Sequence, residues 1–148
     1  MQGAHGGLTD VARAIGAKCA AQPRIAAAWL FGSVAREEER EDSDLDVAVL
    51  LRPGAASDAE PGLRELATQL EPYSPSGRVD ILVLGEQGAV LRHRILVEGR
   101  LVHEADRDLR VDFEGRTISQ YLDWKPTHEI AMQAVFAGLR DRFGAGPR

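Results

Sequence analysis

Helices alternating with strands, in a chain of single-domain size, predict an α/β fold: a small β-sheet flanked by helices, followed by a helical extension at the C-terminal end. Three observations carry this reading. Apolar, strand-like runs recur at residues 25–31, 45–51 and 79–84, each bounded by turn residues. Between them lie segments with leucines at helical spacing, such as Leu63, Leu66 and Leu70. A chain of 148 residues, 44% of them hydrophobic, is long enough to bury one real core.

The elements follow in order. Residues 1–7 are Gly-rich and read as a flexible start, after which Thr9 or Asp10 can cap a helix running to about Ala21. Residues 25–31 form the first strand, ending at Gly32-Ser33, and helix-favouring residues come next. The run Glu37-Glu38-Glu39-Arg40-Glu41-Asp42 reads as a solvated acidic loop. A second strand carries Asp44 and Asp46, with Leu45, Val47, Val49 and Leu51 on its opposite face. After the loop at residues 52–57, Asp58 starts a helix that Glu71-Pro72 stops. The third strand leads to a helix over about residues 89–97, closed by Glu98-Gly99, and Leu101-Val102 is a short strand. The core thus spans residues 8–104 and the helical extension 105–148.

The most informative stretch joins Gly32-Ser33 to Ser43-Asp44-Leu45-Asp46. A Gly-Ser turn between a strand and a helix start can aim backbone N–H groups at an anion. Asp44 and Asp46 are two apart on a strand, and a period of two puts both carboxylates on one face. Two crowded like charges call for a compensating cation, and hard oxygen ligands suit Mg²⁺, which in turn binds phosphates. Either half alone also fits an ordinary turn or an Asx turn at a strand entry. Together, between two strand-like runs, they point to a phosphate cradle beside a metal site.

Asp80 adds a third acid, in the apolar run Val79-Asp80-Ile81-Leu82-Val83-Leu84. In a buried strand such an acid is costly unless paired or metal-bound. Alone, it fits a salt bridge with Arg78 or an edge strand facing water. Beside Asp44 and Asp46 it fits a site that activates a hydroxyl for attack on phosphorus.

Composition narrows the function classes. A net charge of −5 argues against a general nucleic-acid binder and leaves room for a basic protein partner. No stretch approaches the roughly twenty apolar residues of a membrane span, and the start lacks a signal-peptide pattern, so a cytoplasmic protein is expected. The single Cys19 reads as a core filler. His5, His93, His103 and His128 show no metal-ligand spacing. Arg92-His93-Arg94 reads first as a solvated helix face.

The Gly-Ser turn, the Asp-x-Asp pair and the downstream strand Asp together resemble the minimal nucleotidyltransferases of the DNA polymerase beta superfamily, over most of residues 8–104. The resemblance implies a mixed rather than purely parallel sheet. It implies that Gly32 and Ser33 hold the triphosphate, that Asp44 and Asp46 bind Mg²⁺, and that Asp80 completes the site and acts as base. Arg36, one turn after the Gly-Ser, and Ser43 join the nucleotide-binding set, although Arg36 equally fits a solvated helix position.

Residues 95–104, 110–114 and 121–126 are similar to the tail of the MNT-type antitoxins that pair with HEPN-domain toxins. Val111, Ile118, Leu122 and Ile130 give a helical stripe, and Phe113, Tyr121 and Trp124 concentrate the scarce aromatics in the same segment. These residues suit either a partner interface or a helix folded back on the core, which Pro126 would kink or end. The resemblance implies an antitoxin in a hetero-oligomer that transfers AMP from ATP, with two Mg²⁺ ions, to a tyrosine of a HEPN ribonuclease toxin. Two other readings stay open: a stand-alone nucleotidyltransferase acting on a small hydroxylated molecule such as an antibiotic, and a non-catalytic antitoxin acting by binding. No direct nucleic-acid contact is expected.

Overall fold

The computed structural model describes residues 7–143. Of the expected flexible start at residues 1–7, residues 1–6 with His5 lie outside the described residues, as does the side chain of His128. Four strands form one mixed sheet: β1 (Ile25–Phe31), β2 (Leu45–Leu51), β3 (Val79–Val83) and β4 (Arg100–Glu104), in the order β3-β2-β1-β4. β1 runs antiparallel to β2 and β4, and β2 runs parallel to β3. A parallel pair needs a long crossover, and the helix α3 (Glu60–Leu70) provides it.

Three layers result. On one face, Val11, Ile15 and Cys19 of α1 (Leu8–Ala20) share one buried cluster with Leu45, Val47 and Val49 of β2 and with Leu66 and Leu70 of α3. On the other, Trp29, Ala48 and Leu50 pack with Ile95 of α4 (Ala89–Glu98) and Phe113 of α5 (Arg107–Phe143). β1 is therefore covered on both sides and reads as a continuous apolar run rather than an alternating one. Among the described residues no helix is long and apolar enough to cross a membrane.

Several boundaries differ from expectation, each for a local reason. Gly7, not Thr9 or Asp10, precedes α1, and its carbonyl accepts the Asp10 and Val11 N–H groups at 2.9 and 3.1 Å. Asp58 does not start α3. It sits in a 3-10 turn, held by both nitrogens of the Arg24 fork at 3.2 and 2.9 Å, and the helix begins at Glu60. α5 is capped by Asp106, whose carboxylate accepts the Leu109 N–H at 3.0 Å. It then continues through Pro126 instead of ending there.

Arg92 and His93 are not a solvated face. Arg92 donates to Gln87 O at 2.6 Å and Gln120 Oε1 at 3.1 Å, and its guanidinium lies 5.6 Å from the centre of the Phe113 ring. His93 stacks on Tyr121 with ring centres 3.7 Å apart. This pair of contacts fastens α5 to α4, and Arg94 alone of the three remains solvated.

Candidate active site

β1 ends at Phe31, and the next residue, Gly32, adopts φ +77° before the single turn α2 (Gly32–Ala35). This left-handed backbone is one that glycine adopts without cost. A second constraint is steric: a Cβ on Gly32 would overlap Asp46 Oδ2 and lie 3.1 Å from Asp46 Cγ. Gly32 is thus required by shape and by space, and the space belongs to a carboxylate.

The sheet register aligns the acids. Phe31 pairs with Asp46 on β2, and Asp46 pairs with Asp80 on β3, so all three lie in one row across the sheet. Leu45, Val47 and Val49 are fully buried beneath α1 and α3, which fixes the register that turns Asp46 to the opposite face. β3 is an edge strand and Asp80 is exposed. Asp80 therefore faces water, one of the alternatives its apolar neighbours left open. The strand is only half-covered, and the acid occupies its open side.

Asp46 bears the cost of burial instead. Its carboxyl is pushed up to about 6, first by burial, then by the charges of Asp80 and Asp44, with Arg36 opposing. Asp44 behaves in the reverse way. It precedes β2 and accepts the Ser76 hydroxyl at 2.8 Å and Arg78 Nε–H at 2.9 Å. These bonds and the Arg78 charge hold its carboxyl below the usual range. Arg78 pairs with Asp44 and not with Asp80.

Ser33 is half-buried on α2. Ser43 spends its hydroxyl locally, accepting Arg40 N–H at 2.8 Å. Arg36 is exposed and reaches Glu38 Oε2 at 3.1 Å. Beside Gly32 opens a cleft of about 440 Å³ lined by Phe31, Arg36, Leu91, Arg94, Ile95 and Glu98. Two guanidinium groups and an apolar wall suit a ligand with anionic and aromatic parts. Arg94 belongs to the Arg92-His93-Arg94 run read first as a solvated face, and nothing in the sequence signalled the wall residues Leu91 and Ile95, because their helix is distant from the Gly-Ser turn in the chain. Ser76 and Arg78 carried one faint signal, a turn directly before the strand of Asp80.

Among the described residues, no three His, Cys, Asp or Glu side chains are gathered into a metal-holding group. Asp46 and Asp80 are neighbours, while Asp44 is engaged by Ser76 and Arg78. The donor chemistry still suits a hard divalent cation, because Asp46 stays raised by the charges of Asp80 and Asp44 despite Arg36, and such a cation would relieve that repulsion. Cys19 is buried in the core and its thiol is pushed up to about 12 by that burial, as befits a filler.

Comparison with known proteins agrees with this geometry. The family model for the polymerase beta nucleotidyltransferase domain matches residues 14–108. No curated protein matches the chain. Among solved structures, a chain assigned as a minimal nucleotidyltransferase is 33% identical with a TM-score of 0.52, covering 66% of this chain and 97% of that one. A chain of a toxin–antitoxin crystal structure with AMP-PNP is 23% identical with a TM-score of 0.60, covering 77% of this chain and 88% of that one. A chain of the complex between the tri-AMPylated Shewanella oneidensis HEPN toxin and its MNT antitoxin is 22% identical with a TM-score of 0.62, covering 87% and 98% respectively. These last two share the fold. The Gly32 turn, the acids aligned beside it and the matched span together lead to one conclusion: the chain belongs to the polymerase beta nucleotidyltransferase family, in its minimal form.

Proposed function

We propose that this protein is an antitoxin that transfers AMP from ATP to a tyrosine hydroxyl of a cognate HEPN ribonuclease toxin, silencing it. The observation that carries the reading is the row formed by Phe31, Asp46 and Asp80, with Gly32 pressed against Asp46 at the mouth of a cationic cleft. The fold shared with toxin–antitoxin chains, one with AMP-PNP and one with an AMPylated toxin, supports the choice of acceptor and nucleotide.

In this reading the Gly32-Ser33 turn admits the triphosphate close to the backbone, which a side chain at Gly32 would prevent. Arg36 and Arg94 offset phosphate charge from the cleft wall. Asp46 and Asp80, with Asp44, would hold Mg²⁺, which when bound neutralises charge on the phosphates. Asp80 is exposed and takes the proton from the incoming tyrosine hydroxyl as its oxygen bonds the α-phosphorus and pyrophosphate leaves. The outer part of α5, with Trp124 and the exposed Ile118 and Leu122, contacts the toxin.

The test is mass spectrometry of the HEPN partner after incubation with this protein, Mg²⁺ and ATP. One or more AMP additions on tyrosine, lost with Asp46→Asn, support the reading. Neutralisation of the toxin that survives Asp46→Asn without any mass change would favour an antitoxin acting by binding. Transfer to a small hydroxylated compound but never to the toxin would favour the stand-alone enzyme.

A further inference from the structure

The contacts of Asp44 come from a turn shaped to deliver them. Gly77 adopts φ +80°, which lets the chain reverse between Ser76 and Arg78. Ser76 N–H donates to Ser43 O at 3.0 Å, and Leu45 N–H donates to Arg78 O at 3.0 Å. Arg78 N–H donates to Ser76 Oγ at 3.1 Å, and the Ser74 hydroxyl donates to Arg78 O at 2.6 Å. The turn is thereby laced to the segment that carries Asp44. Both side-chain donors, Ser76 Oγ–H and Arg78 Nε–H, converge on the same oxygen, Oδ1.

The two donors are unlike in kind. Ser76 is half-buried, neutral and fixed by the turn, so it aims the carboxylate without changing its charge. Arg78 is a full cation with its side chain 69% exposed, and it also reaches Asp42 O at 3.4 Å. It can leave for water without disturbing any packing. A divalent cation approaching Asp44 meets an oxygen whose charge is already matched, and must share it or displace the guanidinium.

We propose that Arg78 is a resident counter-ion that competes with the divalent cation for Asp44 while Ser76 aims the same carboxylate, so that neighbouring residues set metal affinity in opposite directions. Arg78 is a positioning residue and touches no reacting atom. The inference rests on the nucleotidyl-transfer reading, in which Asp44 is a metal ligand.

The test is Mn²⁺ binding to the full chain without nucleotide, read from the electron paramagnetic resonance of free Mn²⁺. Arg78→Ala should bind about two- to fivefold tighter than wild type, the fold-change corresponding to loss of one exposed ion pair. Ser76→Ala should bind weaker by a similar factor, and Arg78→Lys should fall between wild type and Arg78→Ala. Unchanged or weaker binding by Arg78→Ala, with wild-type binding abolished by Asp44→Asn, overturns the counter-ion role alone. If wild type binds no Mn²⁺, or binds it regardless of Asp44→Asn, the counter-ion role and the metal site of the proposed function fall together. Thermal melts of each variant show whether the fold is kept, and the conservative Arg78→Lys decides the matter should Arg78→Ala unfold.

Discussion

At the Gly32 end of the sheet each position is held by its neighbours: Gly32 by Asp46, Asp46 by its register between Phe31 and Asp80, and Asp44 by Ser76 and Arg78. Along α5 the constraint fades. Phe113 and Thr117 are buried and Tyr121 stacks on His93, yet Leu122, Ile130 and Val135 are more than half exposed. The first region is completed by the chain itself. The second presents apolar surface that the described residues leave exposed, and helices whose apolar side stays in water gain little from packing. Substitutions should therefore act through geometry and charge in the first region, through core packing at the root of α5, and through a partner beyond it.

The largest effect on nucleotide binding is expected at Gly32. Gly32→Val adds both a strained φ and an overlap with Asp46, so nucleotide affinity should fall by at least about a hundredfold, or roughly 2.7 kcal/mol. Ser33→Ala should lose far less, because it removes one hydroxyl and leaves the backbone approach open. Calorimetry with a non-hydrolysable ATP analogue decides, and equal affinity in wild type and Gly32→Val would remove the tightly held site from the comparison.

Asp46→Asn separates function from stability. Transfer should drop to under about a tenth of wild type, a loss above roughly 1.4 kcal/mol. The metal-free fold should gain. The Asp46 carboxyl is raised from 3.8 to about 6, so its ionisation opposes folding. That penalty is absent below the unfolded value, grows between the two and is complete above about 6. In chelator at pH 8, Asp46→Asn should be more stable by about 1–2 kcal/mol, discounted for its half exposure. The gain should shrink toward pH 4, and urea titrations at both pH values would read it. A variant that is inactive and also less stable at pH 8 would place Asp46 in a structural role.

How far the chain could be read in advance follows the same division. The first two strands, the turn at Gly32 and the acids Asp46 and Asp80 were legible because each rests on short-range chemistry, whereas the pairing of Asp46 with Asp80 and the place of Asp44 before β2 rest on contacts distant in sequence. What escaped depends on partners distant in sequence. Asp58 looks like a helix start until Arg24 takes it. Asp80 allows a buried strand, a salt bridge with Arg78 or an edge facing water, and only the sheet order decides for the edge. Arg92 and His93 look solvated until α5 lies across them, and Pro126 looks like a stop although the helix continues through it. The roles of Ser43, Ser33 and Arg36 toward nucleotide rest on the proposal, since in this structure Ser43 bonds within its own loop and Arg36 pairs with Glu38.

At the root of α5, Phe113→Ala should cost about 3–5 kcal/mol of stability. Phe113 is 6% exposed, shares a cluster with Trp29, Leu84 and Ile95, and lies under the Arg92 guanidinium. Removing the ring empties the joint between α4 and α5, so the loss should appear in global unfolding. A change under about 1 kcal/mol would mean that α5 docks weakly even at its root, and the contrast along the helix would vanish.

Farther along the helix, Trp124 is 39% exposed and stacks near Tyr121 at 6.1 Å between ring centres. The same kind of truncation should here have the opposite pattern. The indole keeps far more contact with water than the Phe113 ring does, so Trp124→Ala should cost less stability than Phe113→Ala, about 1–2 kcal/mol. Against the toxin, an aromatic anchor should matter more, and affinity should weaken by about tenfold, or roughly 1.4 kcal/mol. Binding of an ATP analogue should be unaltered, because Arg36, Arg94 and Gly32 line their cleft without it. Calorimetry with the toxin and separately with the analogue gives both numbers on the same sample. Partner affinity that is unchanged would assign the exposed stretch of α5 no share in recognition. Loss of both affinities together with the fold would show that Trp124 belongs with Phe113, and that the division along α5 lies beyond Trp124 and not before it.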